Sequence, residues 1–293
     1  MVLFSGLLMI LSAAASPVLM NTNALPDAHN VLVVDARDEA AFLEAHIPGA
    51  THLDVDSLSE EQKGVVGMLK PMSALLPLYT AAGLDPKREI VVYSGLEKSS
   101  DLKQATRLFW ALEYSGFPKV RLLDGGLSKW KAEGRPLESG SSAVKPGSMD
   151  ALKGLKVAPE RIATREEVMA AQSSKKGIIA DLRSNELYTG ASKKDFVERG
   201  GHIPGAKSQP VPDFVDDTSM TFKAPDVIRA LLAADKKAKK SSVVTYCNTG
   251  RDATVGYAAY RIAGFEHVSV YDGSMAEWGN IAACPLATGS EKE

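Results

Sequence analysis

The sequence predicts an α/β protein built twice, with parallel strands covered by helices on both faces in two consecutive domains. Three observations carry this reading. Short β-branched runs alternate with helix-length amphipathic runs, the pattern of parallel sheets. The order of motifs in the first half returns in the second. The stretch Val243-Val244-Thr245-Tyr246-Cys247-Asn248-Thr249-Gly250-Arg251-Asp252-Ala253-Thr254 reads as a buried strand, a polar turn and the start of an amphipathic helix reaching Ile262.

Taken in order, residues 1–16 are expected to be a signal peptide or, failing that, an apolar N-terminal segment docked on the fold. Val2 to Leu11 is mostly apolar and Ala13-Ala14-Ala15 offers an A-x-A cleavage pattern, so a signal peptide is expected, although no Lys or Arg precedes the apolar run. The run is too short for a stable membrane span. The expected destination is the periplasm or the exterior, and otherwise the cytoplasm.

The first domain is expected over 17–138. Val31 to Val34 is a strand ending in Asp35-Ala36-Arg37, followed by a helix at Glu39 to Ala45 and a turn at His46-Ile47-Pro48-Gly49-Ala50. Helices at Pro71 to Ala82 and Asp101 to Gly116 flank a strand at Ile90 to Tyr93, and Val120 to Leu123 is a further strand. Ser139 to Asp150 is rich in Ser and Gly, which places a linker over 139–156.

The second domain, 157–289, repeats this order. Asp181-Leu182-Arg183 matches Asp35-Ala36-Arg37, and Gly201-His202-Ile203-Pro204-Gly205-Ala206 matches the His46 turn. Val243 to Tyr246 matches Ile90 to Tyr93, and Tyr271-Asp272-Gly273-Ser274 with Trp278 matches Leu123-Asp124-Gly125-Gly126 with Trp130. The copies differ where chemistry would sit: Cys247 corresponds to Ser94, a hydroxyl with no base in view to activate it. The first domain therefore reads as non-catalytic, supplying interface and one wall of a cleft.

Composition narrows the functional classes. The 293 residues have 45% hydrophobic and 24% charged content, as soluble globular proteins do, and the formal net charge of -2 gives no case for nucleic acid or an anionic membrane. Lys236-Lys237-Ala238-Lys239-Lys240 reads as the solvated end of a helix that begins near Pro225. Two cysteines, Cys247 and Cys284, build neither a disulfide framework nor a cysteine-rich metal site, and no metal or organic cofactor is called for.

Cys247 ends its strand where α/β sheets place their ligands. The loop amides and the following helix N-terminus are expected to converge on its sulfur and lower the thiol pKa, with Arg251 adding positive charge. Asp252 is expected to face outward or cap the helix, since a carboxylate turned inward opposes a thiolate.

The paired Asp-x-Arg and His-Ile-Pro-Gly-Ala signatures, the strand-end cysteine loop, and the Asp-Gly-(Gly/Ser) turn with its downstream Trp resemble a tandem-domain rhodanese over residues 17 to 288. The loop from Cys247 to Asp252 has the rhodanese length. The phrase from Val270 to Trp278 resembles exported bacterial sulfurtransferases, and Cys-Asn-x-Gly-Arg resembles small periplasmic rhodaneses. The resemblance implies two three-layer α/β/α domains, each around a five-stranded parallel sheet. It implies a sulfurtransferase that moves sulfane sulfur from a donor such as thiosulfate, through a persulfide on Cys247, to cyanide or a thiol. It places Arg183 near the active loop, so Arg183 joins Asn248, Thr249, Gly250, Arg251, Asp252 and Ala253 as expected donor-binding or thiolate-stabilising residues.

Departures bear on the donor. Thiosulfate-using members of this family commonly carry Arg and Lys after the cysteine, and mercaptopyruvate enzymes carry Gly-Ser; here Asn248 and Thr249 can hydrogen-bond an oxyanion but add no charge. Asp252 stands where Thr or Ser is frequent. His46 and His202 occupy matching turns, one in the copy without a thiol, so both read as structural, as do Asp35, Asp181, Trp130 and Trp278. Cys284 reads as a spare structural thiol rather than a resolving one.

Two other functions compete. A non-enzymatic carrier would relay persulfide sulfur from Cys247 to a docked protein. A phosphatase or arsenate reductase needs Cys-x5-Arg, and here the sixth residue after Cys247 is Ala253, so that chemistry is disfavoured.

Overall fold

The computed structural model describes residues 16–25, 30–97, 101–216, 218–219, 221–233 and 238–290. The expected signal peptide, all but Ser16, lies outside the described residues.

The first domain contains β1 (Leu19–Met20), β2 (Val31–Asp35), α1 (Glu39–Glu44), β3 (Thr51–His52), β4 (Ser59–Gln62), β5 (Val65–Leu69) and α2 (Met72–Ala81). It continues with β6 (Glu89–Tyr93), α3 (Leu102–Tyr114), β7 (Val120–Leu123) and α4 (Gly126–Ala132), and α5 (Met149–Leu152) follows. The second contains β8 (Ile162–Ala163), α6 (Arg165–Ser174), β9 (Ile178–Asp181), α7 (Asn185–Thr189), β10 (Lys207–Ser208), β11 (Val215–Asp216) and β12 (Thr221–Phe222). It ends with α8 (Pro225–Leu231), β13 (Val243–Tyr246), α9 (Arg251–Ala263), β14 (Val268–Tyr271) and α10 (Ser274–Trp278).

Each domain has a five-stranded sheet, ordered β1-β7-β6-β2-β3 in the first and β8-β14-β13-β9-β10 in the second. Every pairing in both is parallel. Alternation along a strand fills both faces. Ile90 and Val92 enter one core while Val91 and Tyr93 enter another, and Val243 is likewise separated from Val244 and Tyr246. The layers are therefore helix, sheet and helix in each half.

The largest core is shared between the domains. Helix α3 lies against α9, and Phe109, Leu112, Val255 and Tyr257 belong to one buried cluster. Equivalent residues of the two copies meet at this contact: the Thr106 and Thr254 hydroxyls are 2.9 Å apart, and the Phe109 and Tyr257 ring centroids 6.1 Å. The separation of 148 residues between the threonines also relates Asp124 to Asp272 and Trp130 to Trp278. An approximate two-fold relation thus runs through the α3–α9 contact.

Some elements differ from the sequence reading. Helix α8 stops at Leu231, so the lysine run is not its end; Ala238–Lys240 is a short 3-10 turn and 234–237 lie outside the described residues. The linker is not free chain: Gly147 N donates to Thr80 O at 2.7 Å, and Ser148 caps α5, which buries Leu152. The hairpins β4–β5 and β11–β12 were not foreseen. The first turns through Lys63 and Gly64, both at positive φ, the geometry of a tight two-residue hairpin turn.

Candidate active site

Strand β13 delivers Cys247 to the end of the second sheet, where its side chain is 1% exposed. Gly250 then takes φ 77 and α9 begins at Arg251. Only glycine fits at position 250: besides the left-handed backbone, a Cβ there would lie 2.3 Å from Asp272 Oδ1. The loop is fixed from below by the turn after β14. Ser274 Oγ accepts from the amides of Cys247 and Gly250, both at 3.1 Å, and donates to Tyr271 O at 2.8 Å. The carbonyls of Cys247 and Asn248 accept from Met275 N and Ala276 N.

The amides of Ala253, Thr249 and Asp252 face the Cys247 sulfur and favour its thiolate, as expected of such a loop. They do not prevail. Burial pushes the thiol up to about 11, and the Asp252 carboxylate adds to the rise. The expected lowering is thus overturned by desolvation.

Arg251 does not turn to the sulfur. Its Nη1 is 2.5 Å from Oδ1 of Asp56 in the first domain. Asp252 neither caps the helix, a position held by Gly250, nor leaves the site: it lies in the first turn of α9 with its side chain 34% exposed and 3.9 Å from Lys103 Nζ. Arg183 is buried and bidentate to Asp181, at 2.5 to 3.1 Å, and donates to Gly201 O at 2.8 Å. Arg37 makes the equivalent bonds to Asp35 and Ala45 O in the first domain, so this fork is a shared structural device. Thr249 packs under the first domain's hairpin, where a Cβ on Gly67 would sit 3.0 Å from Thr249 Cβ. Ala253 is fully buried.

A cleft of about 510 Å³ opens beside the loop between the domains. Lys103 comes from the first domain; Arg183, Lys194, Asn248 and Asp252 come from the second. Asn248 is 9% exposed, and its Oδ1 has no hydrogen-bond partner within the described protein.

Ser94 closes the comparison between copies. It is buried and donates to Asp101 O at 3.0 Å, and its carbonyl accepts from Leu127 N as that of Cys247 does from Met275 N. Where the second domain has the Ser274 hydroxyl, the first has Gly126, whose added Cβ would lie 2.5 Å from Ser94 O. His46 and His202 stack on Phe42 and Tyr188 and bond their carbonyls through Nδ1 at 2.9 Å, the same arrangement twice. Trp130 and Trp278 likewise each donate to a proline carbonyl at 2.8 Å. Cys284 is buried in a core cluster separate from that of Cys247.

Sequence reasoning missed Ser274, Asp272, Arg107, Lys103 and Lys194. Only Ser274 had a signal, as the one change in the repeated Asp-Gly-(Gly/Ser) turn. Asp272 Oδ1 pairs with Arg107 Nη1 of α3 at 2.5 Å, and its Oδ2 accepts from Leu69 N of β5 at 2.7 Å. Among the described residues no cluster of His, Cys, Asp or Glu could hold a metal, and no helix is long and apolar enough to cross a membrane.

Comparison with known proteins agrees with this geometry. The rhodanese-like domain pattern matches twice, at residues 21–133 and 164–281. The sulfur carrier protein TtuD of Thermus thermophilus is 31% identical over 89% of this chain and 91% of its own length. Human 3-mercaptopyruvate sulfurtransferase is 32% identical, covering 83% of this chain and 80% of its own. The thiosulfate sulfurtransferase of Azotobacter vinelandii is 29% identical, covering 88% and 92%. Among solved structures, YnjE superposes with a TM-score of 0.82 at 25% identity, covering 93% of this chain and 68% of that one. Saccharomyces cerevisiae Tum1 gives 0.78 at 23%, covering 92% and 98%, a likeness of fold. Two parallel-sheet domains, one ending its central strand in a cradled cysteine and the other in a serine, and relatives named for sulfur transfer along nearly the whole chain place it in the rhodanese family, as a tandem-domain sulfurtransferase.

Proposed function

We propose that Cys247 takes sulfur from a small anionic donor, with thiosulfate as the working case, and passes it to cyanide or a thiol. The observation that carries this is the juxtaposition of a buried thiol, ringed by loop amides, with a cleft bearing Lys103, Lys194 and Arg183. Lys103 and Lys194 supply the positive charge that Asn248 and Thr249 lack. Arg183 lines the cleft wall with its charge paired to Asp181.

In the first half-reaction the Cys247 thiolate attacks the outer sulfur of thiosulfate. A new S–S bond forms, the donor's S–S bond breaks, and sulfite leaves with the bonding pair. In the second, cyanide or a thiolate attacks the terminal sulfur of the persulfide, and the Cys247 thiolate departs. The thiol proton passes to solvent before attack, a step its raised pKa makes costly; the adjacent cleft keeps the donor close while it occurs.

The same persulfide suits a protein acceptor, a reading supported by the relative named as a sulfur carrier. We also propose that residues 1–16 direct export. N-terminal sequencing of the protein from its own cells tests this: a mature chain beginning near Ser16 supports it, and retained residues 1–15 on cytoplasmic protein overturn it.

The decisive test is intact mass after thiosulfate and then cyanide. A gain of about 32 Da, one sulfur, that cyanide removes and that Cys247→Ser never acquires is the expected result. An adduct only with 3-mercaptopyruvate reassigns the donor, and no adduct with either removes Cys247 from the mechanism.

A further inference from the structure

The frame beneath the Cys247 loop includes a residue of the first domain. Asp272 is 1% exposed, and its carboxylate rests against the loop at Gly250, where there is no room for a Cβ. A lone carboxylate buried against this loop opposes negative charge on the thiol that the loop carries. Its charge is matched by Arg107, fully buried on α3, with Nη1 2.5 Å from Asp272 Oδ1. Arg107 Nη2 also donates to Gly67 O at 2.9 Å, in the hairpin that covers Thr249. Two groups of the first domain therefore close on one carboxylate of the second, Arg107 and Leu69 N, and Gly67 O holds the Arg107 guanidinium in place.

The twin position lacks this device. Arg107 corresponds to Val255 in the repeat, and Asp124, the equivalent of Asp272, accepts from Phe222 N in the other hairpin, with Lys129 as its nearby charge. Among the described residues the buried arginine beside Asp272 has no counterpart beside Asp124, because the equivalent position holds Val255.

We propose that Arg107 is a positioning residue for sulfur transfer: it fixes and neutralises Asp272, so that the loop built on Asp272 can carry negative charge on the Cys247 sulfur. This rests on Cys247 being the sulfur-bearing residue. Arg107 does not line the cleft, so it acts on the thiol rather than on donor recognition. The other ionisable groups facing the loop or Asp272 are Asp252 and Arg251 on α9, Arg183 after β9, Lys103 and Tyr114 on α3, Lys194, and Asp56.

The test combines alkylation of Cys247 by iodoacetamide at a fixed pH near neutrality with steady-state transfer from thiosulfate to cyanide. Arg107→Met is expected to slow alkylation by about tenfold, a displacement of one pH unit, and to lower kcat in parallel while KM for the donor stays within about twofold. Arg107→Met combined with Asp272→Asn removes both charges and recovers the alkylation rate; Arg107→Lys keeps the charge and stays near wild type. A merely structural role gives the opposite sign, because a loosened loop exposes the buried thiol and quickens alkylation. Unchanged or faster alkylation in Arg107→Met, or no recovery in the double variant, overturns the proposal. Should Arg107→Met not accumulate, Arg107→Gln makes the same comparison. Alkylation reports on the thiol whether or not sulfur moves, so failure of the sulfur-bearing role is read separately, as absence of the persulfide in wild type.

Discussion

Two effects act in opposite directions on the Cys247 sulfur: the amides of Ala253, Thr249 and Asp252 favour the thiolate, and burial, which outweighs them, raises the thiol to about 11. A thiol titrating there is mostly protonated at neutral pH, so its alkylation should climb about tenfold per pH unit through the mildly alkaline range without a plateau. Asp252 contributes to the rise, and removing a negative charge favours the thiolate. Asp252→Asn should therefore move the whole alkylation profile to lower pH, by a fraction of a unit to about one unit. A profile unmoved in this variant would mean the carboxylate is screened by Lys103. The strand-end position of Cys247 and its amide loop are legible in the sequence; the depth of burial is not, nor is the direction of Arg251, whose guanidinium reaches across to Asp56.

At the level of elements, the hydrophobic strands and long helices were readable because their periodicity is strong; β13 and β7 match their expected spans and α2, α3 and α9 differ by only a residue or two at each end. The two-residue edge strands and both hairpins were not. Ser59-Glu60-Glu61-Gln62 has no apolar alternation, and it pairs because its partner and a tight turn hold it. The turn after β14 is legible in sequence only as part of the repeat and the family signature, yet its Ser274 supports the active loop. Ser274 adopts φ 47, an uncommon conformation for a residue with a side chain, and spends its hydroxyl on two amides. Ser274→Gly should relieve backbone strain of about 1–2 kcal/mol but strand buried amides at a cost of about 1–3 kcal/mol. The expected outcome is a small net loss of stability by chemical denaturation together with a clear fall in transfer rate. Full activity in that variant would show that the carbonyl bonds to Met275 and Ala276 suffice.

For the whole molecule, the duplication was legible because equivalent motifs recur in order, but the way the copies meet was not: the contacts join residues far apart in sequence, such as Arg107 and Asp272, separated by 165 positions. The shared core makes the halves interdependent. Residues 157–289 produced alone would expose Val255, Tyr257 and the rest of the α9 face, an apolar patch of the kind that drives self-association. Sedimentation should find that fragment aggregated or oligomeric, and mass analysis should find it unable to hold a persulfide; a monomeric, active fragment would mean the first domain is dispensable. The Thr106–Thr254 contact carries an implication about descent. When a surface meets its own duplicate through equivalent residues, one unlinked domain bearing it has what it needs to pair with an identical copy. Such a pair must use one sequence for both roles, so any change that improves support also alters the half being supported. Joining two copies end to end lifts that constraint, and the halves now differ at both places, with Ser94 and Arg107 in the first and Cys247 and Val255 in the second. Division of labour between paralogous halves is then a direct product of their inherited symmetry.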